Sequence, residues 1–174
     1  MHSALSKASG GADMVLAFAG HRPEKLPWGA EEADPRCQAL KIQIAQAVRA
    51  AADRGADTFL CGMARGCDFY FAEAVLALKK ERPGLRLEAY LPCPSQPDRW
   101  PEEDQKRQKE LLLNCAAVYM VEERYSEGCM LRRNWAMVDA CDELLTVWDG
   151  GRGGTGSAIR YARRTGKAVT GLWL

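Results

Sequence analysis

Short apolar runs alternate with longer segments of helical period along almost the whole of this chain, and that alternation restricts the fold more than any other feature. MVLAFAG (14–20), DTFLCG (57–62), LRLEAYL (85–91), AAVYMV (116–121), ELLTVW (143–148) and AVTGLWL (168–174) read as strands. They read as apolar on both faces, with Arg86 and Glu88 the charged interruptions in the third, and so are expected to be covered on both sides, as in a parallel sheet. Helical segments lie between them. Pro35 suits a first helical turn with Asp34 as N-cap, and Leu40, Ile44, Ala47, Val48 and Ala51 then share one face, with Gly55 just beyond the end. CDFYFAEAVLALKK (67–80), PEEDQKRQKELLLNC (101–115), MLRRNWAMVDAC (130–141) and SAIRYARRTG (157–166) supply the other helices. The expected fold class is α/β: a Rossmann-like, doubly wound, mainly parallel sheet of about six strands with helices on both faces.

Neither repeat nor linker interrupts residues 14–174, which read as a single domain, and the small, polar residues 1–13 read as a disordered tail. The 24 basic and 23 acidic residues leave a formal charge of +1, which lends no support to a protein that lives by gripping nucleic acid. The start lacks an apolar signal-peptide core and no run approaches membrane-span length, so no membrane association is expected. The seven cysteines are scattered and no two have C-x-x-C spacing. They read as reduced, small buried hydrophobes of a cytoplasmic protein, with Cys67 and Cys129, each beside a glycine in a loop, as partial exceptions, and no metal site is expected.

In a doubly wound sheet, ligands bind beyond the carboxyl ends of the strands, so the loops after strands carry the functional reading. WDGGRGGTGS (148–157) follows the fifth strand and opens the last helix. Gly151, Gly153 and Gly156 satisfy G-x-G-x-x-G, but fewer than twenty residues follow, so the dinucleotide unit with its distant acid does not fit, and Ser157 stands where a Walker A lysine would. Free amides at a helix start still make an anion site, and the stretch from Arg152 through Lys167 carries five basic residues and no acid. The bland alternative is a long turn before a solvated helix. Gly62-Met63-Ala64-Arg65-Gly66-Cys67-Asp68 has the same character after the second strand. There Asp68 reads either as an N-cap or as a contact to a ribose hydroxyl, and Glu73 as functional or merely exposed. The first strand ends in Gly20-His21-Arg22-Pro23, where the Arg22 fork suits a phosphate. After the fourth strand, Tyr125 suits stacking on a base, with Arg132 or Asn134 reaching inward. At most one of Arg132 and Arg133 can face the site, because neighbours diverge on a helix.

GHRPEKL (20–26), GMARGCD (62–68), the Gln96-to-Trp100 Q-x-x-x-W, YSEGCMLRRNWAMVD (125–139) and WDGGRGGTG (148–156), in this order, resemble the YpsA-like branch of the SLOG superfamily from about Met14 to the end. The resemblance implies a Rossmann-like fold that binds nucleotides or their derivatives, such as ADP-ribose, NAD or AMP, in a sensing or regulatory role. It implies ligand contacts from Gly20, His21, Arg22, Gly62, Met63, Ala64, Gly66, Asp68, Tyr125, Arg132, Asn134, Asp149, Gly153, Gly154, Thr155, Gly156 and Ser157. GMARGCD also resembles the loop of DprA-type proteins, which bind single-stranded DNA, and the neutral charge weighs against that role here. GGTGS resembles the G-G-x-G-T-x-x-E of LOG-type phosphoribohydrolases, which cleave the N-glycosidic bond of nucleotides and suggest a homodimer by analogy. In that alignment Arg160 occupies the position of the glutamate, so Asp68, Glu73 or Asp149 would have to supply the carboxylate for such a reaction.

Overall fold

In the computed structural model, residues 14–174 are described; the tail expected over residues 1–13 lies outside them. Six strands form one sheet: β1 (Met14–Gly20), β2 (Ala56–Cys61), β3 (Arg86–Leu91), β4 (Ala117–Met120), β5 (Glu143–Trp148) and β6 (Ala168–Trp173). Every neighbouring pair is parallel, in the order β4-β3-β2-β1-β5-β6. The helices are α1 (Pro35–Asp53), α2 (Cys67–Glu81), α3 (Glu102–Leu113), α4 (Cys129–Ala140) and α5 (Gly154–Arg164), with a short 3-10 turn at Pro23–Lys25.

The period-two geometry of a strand sends successive side chains to opposite faces, and two cores follow from it. Leu16 and Phe18 of β1, Phe59 and Cys61 of β2 and Leu145 and Val147 of β5 join the core that α1, α2 and Leu111 of α3 cover. Phe18 and Phe71 stack there with ring centroids 4.6 Å apart. Ala17, Ala19, Leu60 and Leu144 face the other way, against Met137 and Val138 of α4 and Ile159 and Ala162 of α5. Crossover connections are right-handed. The chain winds outward from β1 to β4 with helices on one face, then returns to β5 and β6 with helices on the other. The direction reverses between β1 and β5, and this switch point opens a crevice at the carboxyl end of the sheet.

On α1, Asp34 caps as expected, its side chain accepting the Arg36 amide, and Leu40, Ile44, Val48 and Ala51 are buried. Two expectations change. The two edge strands are not covered on both faces: Val118, Tyr119 and Met120 of β4 and Trp173 of β6 remain exposed, because an edge strand has a neighbour on one side only. And α5 begins at Gly154, three residues before the expected start, so part of the glycine run is the first turn of a helix.

Candidate functional site at the switch point

The loop after β1 crosses the crevice. His21 is 3% exposed, and its Nε2 lies 3.1 Å from both the amide nitrogen and Oδ1 of Asp149, beyond β5. An Nε2 without a proton accepts the Asp149 N–H; an Nε2 with one donates to the carboxylate; the two bonds exclude each other. Either way the imidazole ties together the β1 and β5 loops that flank the switch point. The Gly151 amide, offset by slight burial and helped by His21, holds the Asp149 carboxyl below the usual carboxylate range. Arg22 and Lys25 follow, both exposed at the rim, and Lys25 Nζ donates to the Arg152 carbonyl at 2.5 Å.

The loop after β2 is fixed from three directions. Met63 holds a left-handed φ of 54°, unusual for a non-glycine residue and stable only where its surroundings overdetermine it. Here Gln96 donates to the Gly62 carbonyl at 3.1 Å, and Gln108 to the Met63 carbonyl at 3.1 Å and to Gln96 Oε1 at 2.9 Å. The third hold is Arg133 from α4, which also donates to the Gly62 carbonyl. A Cβ on Gly62 would lie 2.5 Å from the Arg133 guanidinium, so glycine at this position is what admits a buried arginine. Trp100 packs edge-on against Phe69 with ring centroids 5.9 Å apart, so the Q-x-x-x-W motif braces this loop and does not itself line the crevice.

Gly66, not Asp68, is the N-cap of α2. Asp68 lies in the first turn, 6% exposed, and its Oδ2 accepts the Ala64 amide at 3.0 Å. Burial raises its pKa above the ordinary carboxylate value, against the opposing pull of Arg133, the Ala64 amide and Arg22.

Helices α4 and α5 both start at the crevice, behind Gly128 and Gly153, and neither has a side-chain cap. The first α5 amide with a backbone partner is that of Ser157, bonded to the Gly153 carbonyl, so the amides of Gly154, Thr155 and Gly156 remain available to an anion. Trp148 Nε1 donates to the Gly151 carbonyl at 2.9 Å and steadies the glycine run from behind.

These loops enclose a cavity of about 680 Å³, within the ordinary range for small-molecule sites, roughly 300–1,000 Å³. Of the expected ligand residues, Gly20, His21, Arg22, Ala64, Asp68, Tyr125, Asn134, Gly153, Gly154 and Thr155 line it. Gly62, Met63, Gly66, Asp149, Gly156 and Ser157 belong to the same loops but do not line it. Arg132 turns away: its guanidinium pairs with Glu122 at 2.5 Å and donates to Ser126. Arg133 takes the inward place. Glu73 is bonded to Arg107 at 2.7 Å on the flank of α2, outside the cavity, so among Asp68, Glu73 and Asp149 only Asp68 presents a carboxylate to it. Arg160 is exposed on α5.

Sequence reasoning missed Lys25, Glu24, Gly128, Cys129 and Arg133 in the wall. One signal was available for Arg133. Cys129, Arg133 and Met137 recur at the helical spacing of four and are all buried, which marks that stripe as the inward face of α4. No helix among the described residues is long and apolar enough to cross a membrane, and no three His, Cys, Asp or Glu side chains among them cluster as a metal site. All seven cysteines are free; six are buried and Cys115 is half-buried.

The model of the YspA SLOG family matches residues 16–167. A UPF0398 protein of Bacillus pumilus is 25% identical over 137 residues, covering 78% of this chain and 73% of its own length. Two solved structures share the fold. The DNA processing protein A of Helicobacter pylori, described for its single-stranded DNA binding mode, superposes with a TM-score of 0.63 at 21% identity, over 91% of this chain and 64% of its own. DNA processing protein A of Streptococcus pneumoniae superposes with a TM-score of 0.60 at 16% identity, over 91% of this chain and half of its own length.

Proposed function

This chain belongs to the YspA SLOG family, and on that premise we propose that it binds a phosphate-bearing nucleotide or nucleotide derivative, of the AMP, ADP-ribose or NAD kind, in a sensing or regulatory role. The observation that carries the reading is the uncapped start of α5, whose amides open on the cavity that Arg22 and Lys25 also line, Lys25 lying against the glycine run itself. A phosphate there meets the positive end of the helix dipole and two side-chain cations together. Tyr125, 68% exposed at the mouth, offers a face for a base.

Thermal unfolding against AMP, ADP-ribose and NAD tests this. A ligand at about a hundred times its Kd stabilises by roughly 2.7 kcal/mol, several degrees for a chain of this size at roughly 2–4 °C per kcal/mol. A rise with one of them, lost in Gly154→Val, is the expected result; no rise with any of them overturns the reading.

The likeness to two DNA processing protein A structures favours a second reading, single-stranded DNA binding. Contacts to several phosphates make affinity fall steeply with salt. Oligonucleotide binding with that steep slope would support this second reading; undetectable or salt-insensitive binding would sink it.

A further inference from the structure

The floor of the cavity holds two buried, opposite charges that do not touch. Asp68 comes from α2 on one face of the sheet and Arg133 from α4 on the other; they are 6% and 3% exposed. Both line the cavity, yet no nitrogen–oxygen contact within 4.0 Å joins them. Each is anchored separately. Asp68 uses Oδ2 for the Ala64 amide. Arg133 uses Nη1 for the Gly62 carbonyl and, at 3.3 Å, the Tyr90 carbonyl, and Nε for Asn134 Oδ1 at 2.8 Å. That leaves Asp68 Oδ1 and Arg133 Nη2 without a hydrogen-bond partner among the described residues. Neither is sealed in protein, since the one side-chain polar atom there that is both sealed and unpartnered is Trp28 Nε1. Both therefore open into the cavity.

Two desolvated charges held close without a bridge are costly, and a group that joins them recovers part of that cost. Such a group must donate to the carboxylate and accept from the guanidinium. A hydroxyl does both, and two neighbouring hydroxyls do so at two points. The position selects a sugar. Arg133 is bonded to Asn134, whose Nδ2 lies 3.7 Å from where a Cβ on Gly154 would stand, so Arg133 sits one residue away from the phosphate cradle, in the cavity that Asp68 also lines. In a nucleotide the group next to the phosphate is the ribose.

We propose that Asp68 and Arg133 together grip the vicinal hydroxyls of a ribose, so that the cavity selects ribonucleotides over their deoxy counterparts. This rests on the nucleotide reading above and deepens it. It makes Arg133 a specificity-determining residue, placed by the room that Gly62 leaves.

The test titrates the wild-type chain with ADP and with 2′,3′-dideoxy-ADP by calorimetry. Losing hydrogen bonds to charged groups is expected to weaken the dideoxy compound roughly tenfold to a hundredfold. In Asp68→Asn the two affinities should draw together, and in Arg133→Lys, which keeps the charge but loses the fork, the gap should narrow. The comparison of the two ligands on the wild-type chain needs no variant to fold. Equal affinity of the wild type for both compounds overturns the ribose grip and leaves the nucleotide reading standing. Binding of neither compound overturns the ribose grip, and the nucleotide reading is then judged separately by the response to AMP, ADP-ribose and NAD.

Discussion

Asp68 illustrates at the scale of one residue how a site can oppose the stability of its own fold. Burial raises its pKa above the unfolded value, about 3.9, so the native state binds the proton more tightly than the unfolded chain. The ionised form therefore costs stability at neutral pH. As pH falls through the native value toward the unfolded one, the cost is relieved. Asp68→Asn, which resembles the protonated form, is expected to raise the melting temperature of the ligand-free protein at neutral pH. The advantage should shrink as the buffer is made acidic. Scanning calorimetry from neutral to acidic pH checks it; a variant less stable than wild type at neutral pH contradicts the argument. Glu32 has the opposite sign. Burial pushes its pKa up, but bonds to Arg107 and Lys41 outweigh that and hold it low. It therefore contributes stability above its unfolded pKa, and this is lost as pH falls through the native value.

Among the elements, the start of α5 separates two glycines that look alike in the sequence. Gly153 has φ 139°, and a Cβ there would run into Lys25 Nζ; Gly154 has no such φ, and its Cβ would meet only Asn134 Nδ2 at 3.7 Å. Gly154→Ala should therefore fold with stability within about 0.5 kcal/mol of wild type while placing a methyl group in the anion cradle. Gly153→Ala should lose stability through backbone strain, by roughly 1–3 kcal/mol. Urea unfolding of the two variants, with ADP-ribose titrated into each, distinguishes them. Loss of stability in Gly154→Ala would show that this part of the run is structural.

Over the whole molecule, stability should follow sheet position. β1 lies between β2 and β5, and its Leu16, Ala17 and Phe18 are almost wholly buried, whereas β4 is an exposed edge of four residues. Amide exchange should be slowest in β1 and the facing part of β5 and fastest in β4, because central strands open only with the global unfolding of the domain. Comparable protection in β4 and β1 would mean that something covers that edge in solution.

The sequence by itself determined the architecture. The apolar runs that became β1, β2, β3 and β5 are satisfied inside the sheet, and the helical periods between them supply the cover; α1 lies where its Pro35, Asp34 and apolar stripe placed it. Local chemistry also marked the four loops that meet at the switch point. What it could not supply was the direction of side chains between elements distant in the chain. Arg132 and Arg133 are neighbours of one type; the spacing of Cys129, Arg133 and Met137 puts Arg133 on the inward stripe of α4, and the space left by Gly62, seventy-one residues away, gives its guanidinium a buried seat. Lys25 reaches the glycine run across 127 residues, and Glu73 turns from the site because Arg107 of α3 holds it on the far flank of α2. Periodicity is a property of neighbours along the chain, and so it can be read there; a cavity wall is a property of neighbours in space, fixed only when β5 returns to the side of β1.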